Sequence, residues 1–166
     1  MKKLKTCANV TKTIENVINR MEKFENVKLI VDVAAGAEDN AVVFANACGR
    51  IVIVVVGEPT SFMDSYALIK TIYQKSSFKN FCLIINQTEN NKAAYNLFKK
   101  FQEITLRFLD VKLHYVGFIE ESKKIKKSII ERKPITISDP NSDISKGFLK
   151  IANEILKTPK NEWGGL

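Results

Sequence analysis

The residues with chemistry to offer lie where apolar runs break. Leu29 to Gly36 reads LIVDVAAG, an apolar stretch interrupted by Asp32 and closing in a small-residue turn. Ile51 to Ser61 reads IVIVVVGEPTS, a second apolar stretch that opens through Gly57 and Glu58 into a helix start. Asn86 follows a third run, Phe81 to Ile85. Acidic side chains where apolar runs open into turns could hold a cation beside a phosphate, chemistry that needs something next to it to hold the phosphate. These 166 residues contain no G-x-x-x-x-G-K-S/T loop, whose backbone N–H groups and lysine cradle phosphate, and no Gly-Lys-Ser or Gly-Lys-Thr. Each residue also has a plainer use. Asp32 and Asn86 can satisfy turn amides at strand ends. Asp64, three residues after Ser61, can complete a capping box for the helix that Ser61 opens.

Other reactive side chains are scattered. Cys7, Cys48 and Cys82 have no C-x-x-C spacing, and the last two sit in apolar patterns that place them in the interior. Neither a disulfide nor structural zinc is expected. His114 stands alone between Leu113 and Tyr115, so a metal site would lack its partners. Lys123, Lys124, Lys126 and Lys127 surround Ile125 and read as a solvated helix face rather than a docking patch. The net charge of +8 comes almost wholly from lysine, with arginine only at 20, 50, 107 and 132. Arginine is the better reader of bases and phosphates, so nucleic-acid binding is possible but not favoured.

The elements that must position these residues alternate along the chain. Val10, Ile14, Val17, Ile18, Met21 and Phe24 keep helical spacing and predict a helix over 9–25. Val27 to Val33 predicts a strand, 38–48 a short helix stopped by Gly49, and Ile51 to Val56 the most buried strand. The helix from Ser61 carries Phe62, Tyr66, Ile69 and Tyr73. Strand 81–85, the long helix of Ala94, Phe98, Phe101, Ile104 and Phe108, and strand 111–116 ending at Gly117 follow. A helix over 122–132 stops before Pro134, and Ile144, Phe148, Ile151 and Ile155 mark the last one. Apolar residues at 45% and charged ones at 27% are globular composition. We expect one α/β domain over 1–158 with a mainly parallel sheet, and a flexible tail over 159–166. The basic start lacks the apolar core of a signal peptide, and the longest apolar run is too short to span a bilayer, so a cytoplasmic protein is expected.

Glu58-Pro59-Thr60-Ser61, then Asp64 and Tyr66-Ala67-Leu68-Ile69-Lys70, resembles the MinD/ParA superfamily of deviant-Walker ATPases. Within it, this run is most similar to the MinD-like regulators of flagellar number and placement, the FlhG or FleN type. Asp32 to Gly36 resembles that family's Walker B and switch II segment. Phe108-Leu109, Val116-Gly117 and Arg132-Lys133-Pro134 also follow its order. The resemblance covers about residues 10–155 and implies a P-loop NTPase-like three-layer sandwich. It also implies that Asp32 would hold Mg²⁺ through water, that Gly36 and Glu58 belong to the nucleotide switch, and that Asn86 reads adenine.

Two departures stand beside the likeness. The family's first strand and phosphate loop, the Walker A unit, are absent from these residues. After Gly117 the family tends toward I-P-x-D, whereas this chain has Ile119-Glu120-Glu121-Ser122. In the family fold the phosphate-loop strand separates the strands that correspond to 27–33 and 51–56. We therefore expect these two to close directly on each other, or another polypeptide to fill the slot, because unpaired buried backbone is costly. The functional expectation is a non-catalytic or degenerate MinD-like regulator or scaffold, linked to cell-pole, flagellar or division-site placement. It would hold no cofactor alone and would act through a protein partner or homodimer, with no peripheral membrane contact through its basic last helix. One alternative is the C-terminal portion of a split or truncated ATPase that binds Mg-ATP only with a P-loop-bearing partner. Another is a basic DNA-associated module. Trp163, isolated beside Gly-Gly, is the tail residue best suited to a contact.

Overall fold

The computed structural model describes residues 27–33 and 38–161 throughout, and 12–13, 16–17, 19–21 and 23–25 before them. From residue 38 to 161 the described elements follow one another as α1 (Glu38–Asn46), β1 (Val52–Val56), α2 (Pro59–Ser76), β2 (Asn80–Thr88), α3 (Asn91–Phe108), β3 (Lys112–Glu120), α4 (Lys123–Ile130), α5 (Ile135–Ser138) and α6 (Asp143–Lys157). The three strands form one parallel sheet in the order β1-β2-β3. Parallel neighbours need long crossovers, which α2 and α3 provide.

Alternation along the strands sorts side chains onto two faces. On one, Ile53, Val55, Phe81, Leu83 and Ile85 meet Ile69 and Ile72 of α2 and Ala94, Phe98 and Phe101 of α3. The apolar residues of α3 recur at helical spacing because only that stripe faces the sheet. Phe62 of α2 stacks on Phe101 at 5.4 Å, joining the two helices over the sheet. On the other face α6 lays Ile151 and Ile155 over Cys82, Ile84 and Val116. The result is the expected α/β three-layer sandwich.

The two sides are tied together at the amino ends of the strands. The Arg50 guanidinium donates to the carbonyls of Leu156 (2.8 Å) and Thr158 (3.1 Å), which closes the end of α6 where helix carbonyls lack partners. Asn161 is buried, its amide donating to the Asn80 carbonyl (2.9 Å) and its oxygen accepting from the Asn80 N–H (3.0 Å). The segment expected to be a loose tail is therefore anchored as far as Asn161. Trp163 lies outside the described residues.

Several expectations need correction. Residues 27–33 form no strand, and Val27, Leu29 and Ile30 are exposed, Ile30 by 88%. An extended segment holds as a strand only when a neighbour accepts its ladder. Among the described residues nothing pairs with either 27–33 or the outer edge of β1, so the direct closure does not occur. The described residues of the first predicted helix, 12–13, 16–17 and 19–21, are helical. Strand β1 is less buried than its sequence suggests. Val52 and Val54 are 38% and 52% exposed, because α6 covers β3 and β2 but not β1. Helix α2 starts at Pro59, with Glu58 at its N-cap position, so neither Ser61 nor Asp64 is its cap. Cys48 is half-exposed rather than buried, and the predicted helix over 122–132 ends at Ile130, with α5 added after Pro134.

Candidate functional site

Ligands of open parallel sheets sit at the carboxyl ends of the strands, which is where three of the singled-out segments converge. At the end of β1 the Val56 N–H, on the strand's outer edge, donates to Ser61 Oγ at 3.0 Å. Ser61 thus ties the strand end to the first turn of α2. Gly57 lies between them, and a Cβ there would sit 3.2 Å from Leu97 Cδ1, a tight fit. Pro59 pre-sets the first helical turn. Glu58 stands at the N-cap with extended backbone, and its side chain makes no capping bond, so its carboxylate is exposed at this end of the sheet.

Asn86 is the register partner of Val56. It lies within β2, not beyond it, because the strand continues to Thr88. Gln87 next to it takes φ 55°, and the β2–β3 register slips between Ile85 and Thr88. A non-glycine residue at positive φ inside a strand is a bulge that re-aims its neighbours. Thr88 is buried, and its carbonyl accepts from the Glu121 N–H at 3.0 Å. Asn90 then caps α3, accepting from the Ala93 N–H at 2.9 Å.

The departures after Gly117 acquire physical roles here. The strand does not stop at Gly117. With Glu120 where the resemblance expects proline, β3 runs on to residue 120, the register partner of Thr88. Ser122, where an aspartate is expected, caps α4 by accepting from the Lys124 N–H at 3.1 Å. Lys126 holds Glu121 at 2.5 Å and lowers its carboxyl from the usual range.

Glu58 and Asn86 are therefore at one end of the sheet. Asp32 is not brought to a strand end. It is exposed in the irregular 27–33 segment, and Gly36 lies outside the described residues. Among the described residues no group of three His, Cys, Asp or Glu side chains is arranged to hold a metal ion. A Mg²⁺ ion would have Asp32 as its protein carboxylate only if further ligands came with the nucleotide.

The remaining candidates are structural. His114 Nε2 lies 3.1 Å from Asn80 Oδ1, and burial, with Lys112 nearby, pushes its pKa below the usual range. Burial raises the thiols of Cys48 and Cys82, the opposite of what a nucleophile needs. Sequence reasoning missed the Gln87 bulge and the Asn90 cap. Of these, Asn90 had a signal, an Asn directly before an apolar helical pattern.

No protein-family model matches the chain. It is 35% identical over 131 residues to the antiactivator FleN of Pseudomonas aeruginosa, a match covering 79% of this chain and 47% of that protein. It is 32% identical over 140 residues to the flagellum site-determining protein YlxH of Helicobacter pylori, covering 83% and 46% respectively. The chain spans about half the length of the curated relatives it matches.

Proposed function

Because the chain belongs with the MinD-like regulators of flagellar number in the MinD/ParA superfamily, we propose that it regulates or scaffolds flagellar placement through protein contacts, without hydrolysing nucleotide by itself. The relatives are described as an antiactivator and a site-determining protein, and the proposal carries that kind of role to this chain. The observation that bears most weight is the condition of the switch half. Glu58 and Asn86 lie at one end of the sheet, Asp32 is exposed in a segment that forms no strand, and the 166 residues contain no G-x-x-x-x-G-K-S/T loop. Acidic switch residues without a phosphate cradle have little to respond to.

A second reading rests on the sheet edge. The Cys82 N–H donates to the Ile51 carbonyl at 2.9 Å, so Ile51, Ile53 and Val55 direct their backbone groups to β2. Val52 and Val54 direct theirs outward, to an edge that no described strand pairs with. An apolar parallel strand with an open edge is suited to accept one more strand. A P-loop-bearing polypeptide inserted there would complete both the sheet and an Mg-ATP site, with Asp32 and Asn86 contributing. Calorimetric titration with Mg-ATP separates the two readings. Binding that appears only when a P-loop-bearing MinD-like polypeptide is added favours the second. Absence of binding in either case, with a regulator of flagellar assembly recovered by co-purification, favours the first. Retarded duplex DNA lost at raised salt would instead point to the DNA-associated alternative.

A further inference from the structure

The sheet has a second edge, along β3. The Lys112 N–H donates to the Lys79 carbonyl (2.6 Å), so Lys112 and His114 direct their backbone groups to β2. Alternation then sends those of Leu113 and Tyr115 the other way, where no strand among the described residues pairs with them. After Tyr115 the register skips Val116, a bulge that ends the regular edge, so the open stretch is short. Unlike β1, this edge lies in a cleft of about 530 Å³, lined by Leu113 to Val116 and walled by α3 on one side and α6 on the other.

The α3 wall is aromatic. Phe98 is buried, and its ring lies 5.1 Å from that of Tyr115, which secures the helix to the strand. Tyr95 adds a ring 5.7 Å from Tyr115 yet stays 45% exposed, and Lys99 Nζ stands 5.7 Å from the centre of the Tyr95 ring. Holding α3 on the sheet requires Phe98 but not an exposed tyrosine beside a lysine. Across the cleft stands Lys157, from the last turn of α6. The carboxylate that lines the cleft, Glu154, pairs with it at 2.7 Å, while Lys99 has no ion pair among the described residues. Lys112, also exposed, begins the edge.

We propose that the outer edge of β3 takes up a short extended segment of a partner protein, as an added strand in which apolar and acidic side chains alternate. Such a strand uses every part of the cleft. Its N–H and C=O groups would pair with those of Leu113 and Tyr115, and its side chains would point alternately to the two walls. Apolar ones would lie on the rings of the α3 wall and acidic ones would reach Lys157, with Lys99 and Lys112 adding positive potential. Charge decides against a second copy of this chain, which carries +8 and would bring more lysine to an edge already guarded by it. Nucleic acid has no backbone donors and acceptors at strand spacing. The site gives the proposed protein contacts one place on the fold, yet stands whether or not they serve flagellar placement, and a synthetic peptide tests it.

The probe is a blocked, fluorescein-labelled heptapeptide of alternating valine and glutamate, titrated with the full chain by fluorescence anisotropy. It should bind saturably below about millimolar protein, and the same peptide with lysine for glutamate about tenfold more weakly or not at all. Lys99→Glu with Lys157→Glu should weaken binding about tenfold, and Tyr95→Ala about fivefold. Lys123→Glu with Lys133→Glu, an equal change of charge on α4 and just after it, should leave binding unchanged; circular dichroism confirms that each variant is folded. N-methylating the valines in one peptide and the glutamates in another should have unequal effects, because only one set turns its N–H to the edge. In hydrogen exchange the Leu113 and Tyr115 amides should be less protected than that of His114 in the free chain, and gain protection with the peptide. Absence of saturable binding overturns the proposal. So does equal binding of the lysine peptide, or equal weakening by the α4 charge pair, since either removes the cleft's selection of an acidic strand. Leu113 and Tyr115 amides already protected in the free chain overturn it because the edge is then not open. Equal tolerance of both N-methylated peptides overturns it because side chains alone would then be docking.

Discussion

At Gly117 the backbone takes φ 143°, and a Cβ built there would lie 2.6 Å from Ile151 Cγ1. Conformation and space both exclude a side chain, so Gly117→Ala should destabilise the chain by about 2–4 kcal/mol in urea denaturation. Combining it with Ile151→Ala should cost less than the sum of the two, because the second change removes the atom that clashes. His114 makes a different kind of prediction. Its folded pKa lies below 6.5, so the unfolded chain binds the proton first on acidification. The His114 contribution to stability should be level above about pH 6.5, fall as the pH drops to the folded pKa, and level off below it. His114→Gln should remove that slope from a series of melts. Legibility at this scale was uneven. Glu58 could be placed from local pattern because Gly57 and Pro59 bound its strand, and Asn86 only to the right strand, whose end lies at Thr88. Asp32 could not, since its position depends on a strand neighbour that no pattern within 27–33 reveals. The Asn161–Asn80 lock joins residues 81 apart and has no sequence signal.

The helices and inner strands were readable because their apolar periods are long and pure. Ala94, Phe98 and Phe101 of the α3 stripe and the run at 81–85 are examples that the structure keeps in the core, whereas Ile104 and Phe108, towards the end of the same stripe, are exposed. Ends were less legible because capping choices are made between near-equal neighbours. Ser61 has the composition of a cap, yet its hydroxyl goes to Val56, and Pro59 with Glu58 starts α2 instead. Ser61→Ala should therefore lower stability by about 1 kcal/mol through a lost strand-end bond. Asn90→Ala should cost about 1 kcal/mol as a lost helix cap. Both are measurable from denaturant midpoints with the slope unchanged.

At the scale of the molecule, the sheet is well covered from β2 to β3 and open at β1. Helix α6 stops short of Val52 and Val54, and among the described residues the outer backbone of β1 has only the Ser61 bond at its end. An edge of this kind is a site of association. The chain alone should self-associate as its concentration rises, and Val54→Lys should reduce that in sedimentation velocity while leaving the melting temperature nearly unchanged. The same edge separates a self-sufficient regulator from a half that another polypeptide completes. Both readings agree that the isolated chain has no working nucleotide site. Titration of the purified chain with Mg-ATP, with Asp32→Ala as control, tests that claim most directly. We expect no saturable binding up to about millimolar nucleotide, far weaker than a triphosphate held by a phosphate loop and Mg²⁺. Saturable micromolar binding abolished by Asp32→Ala would contradict it.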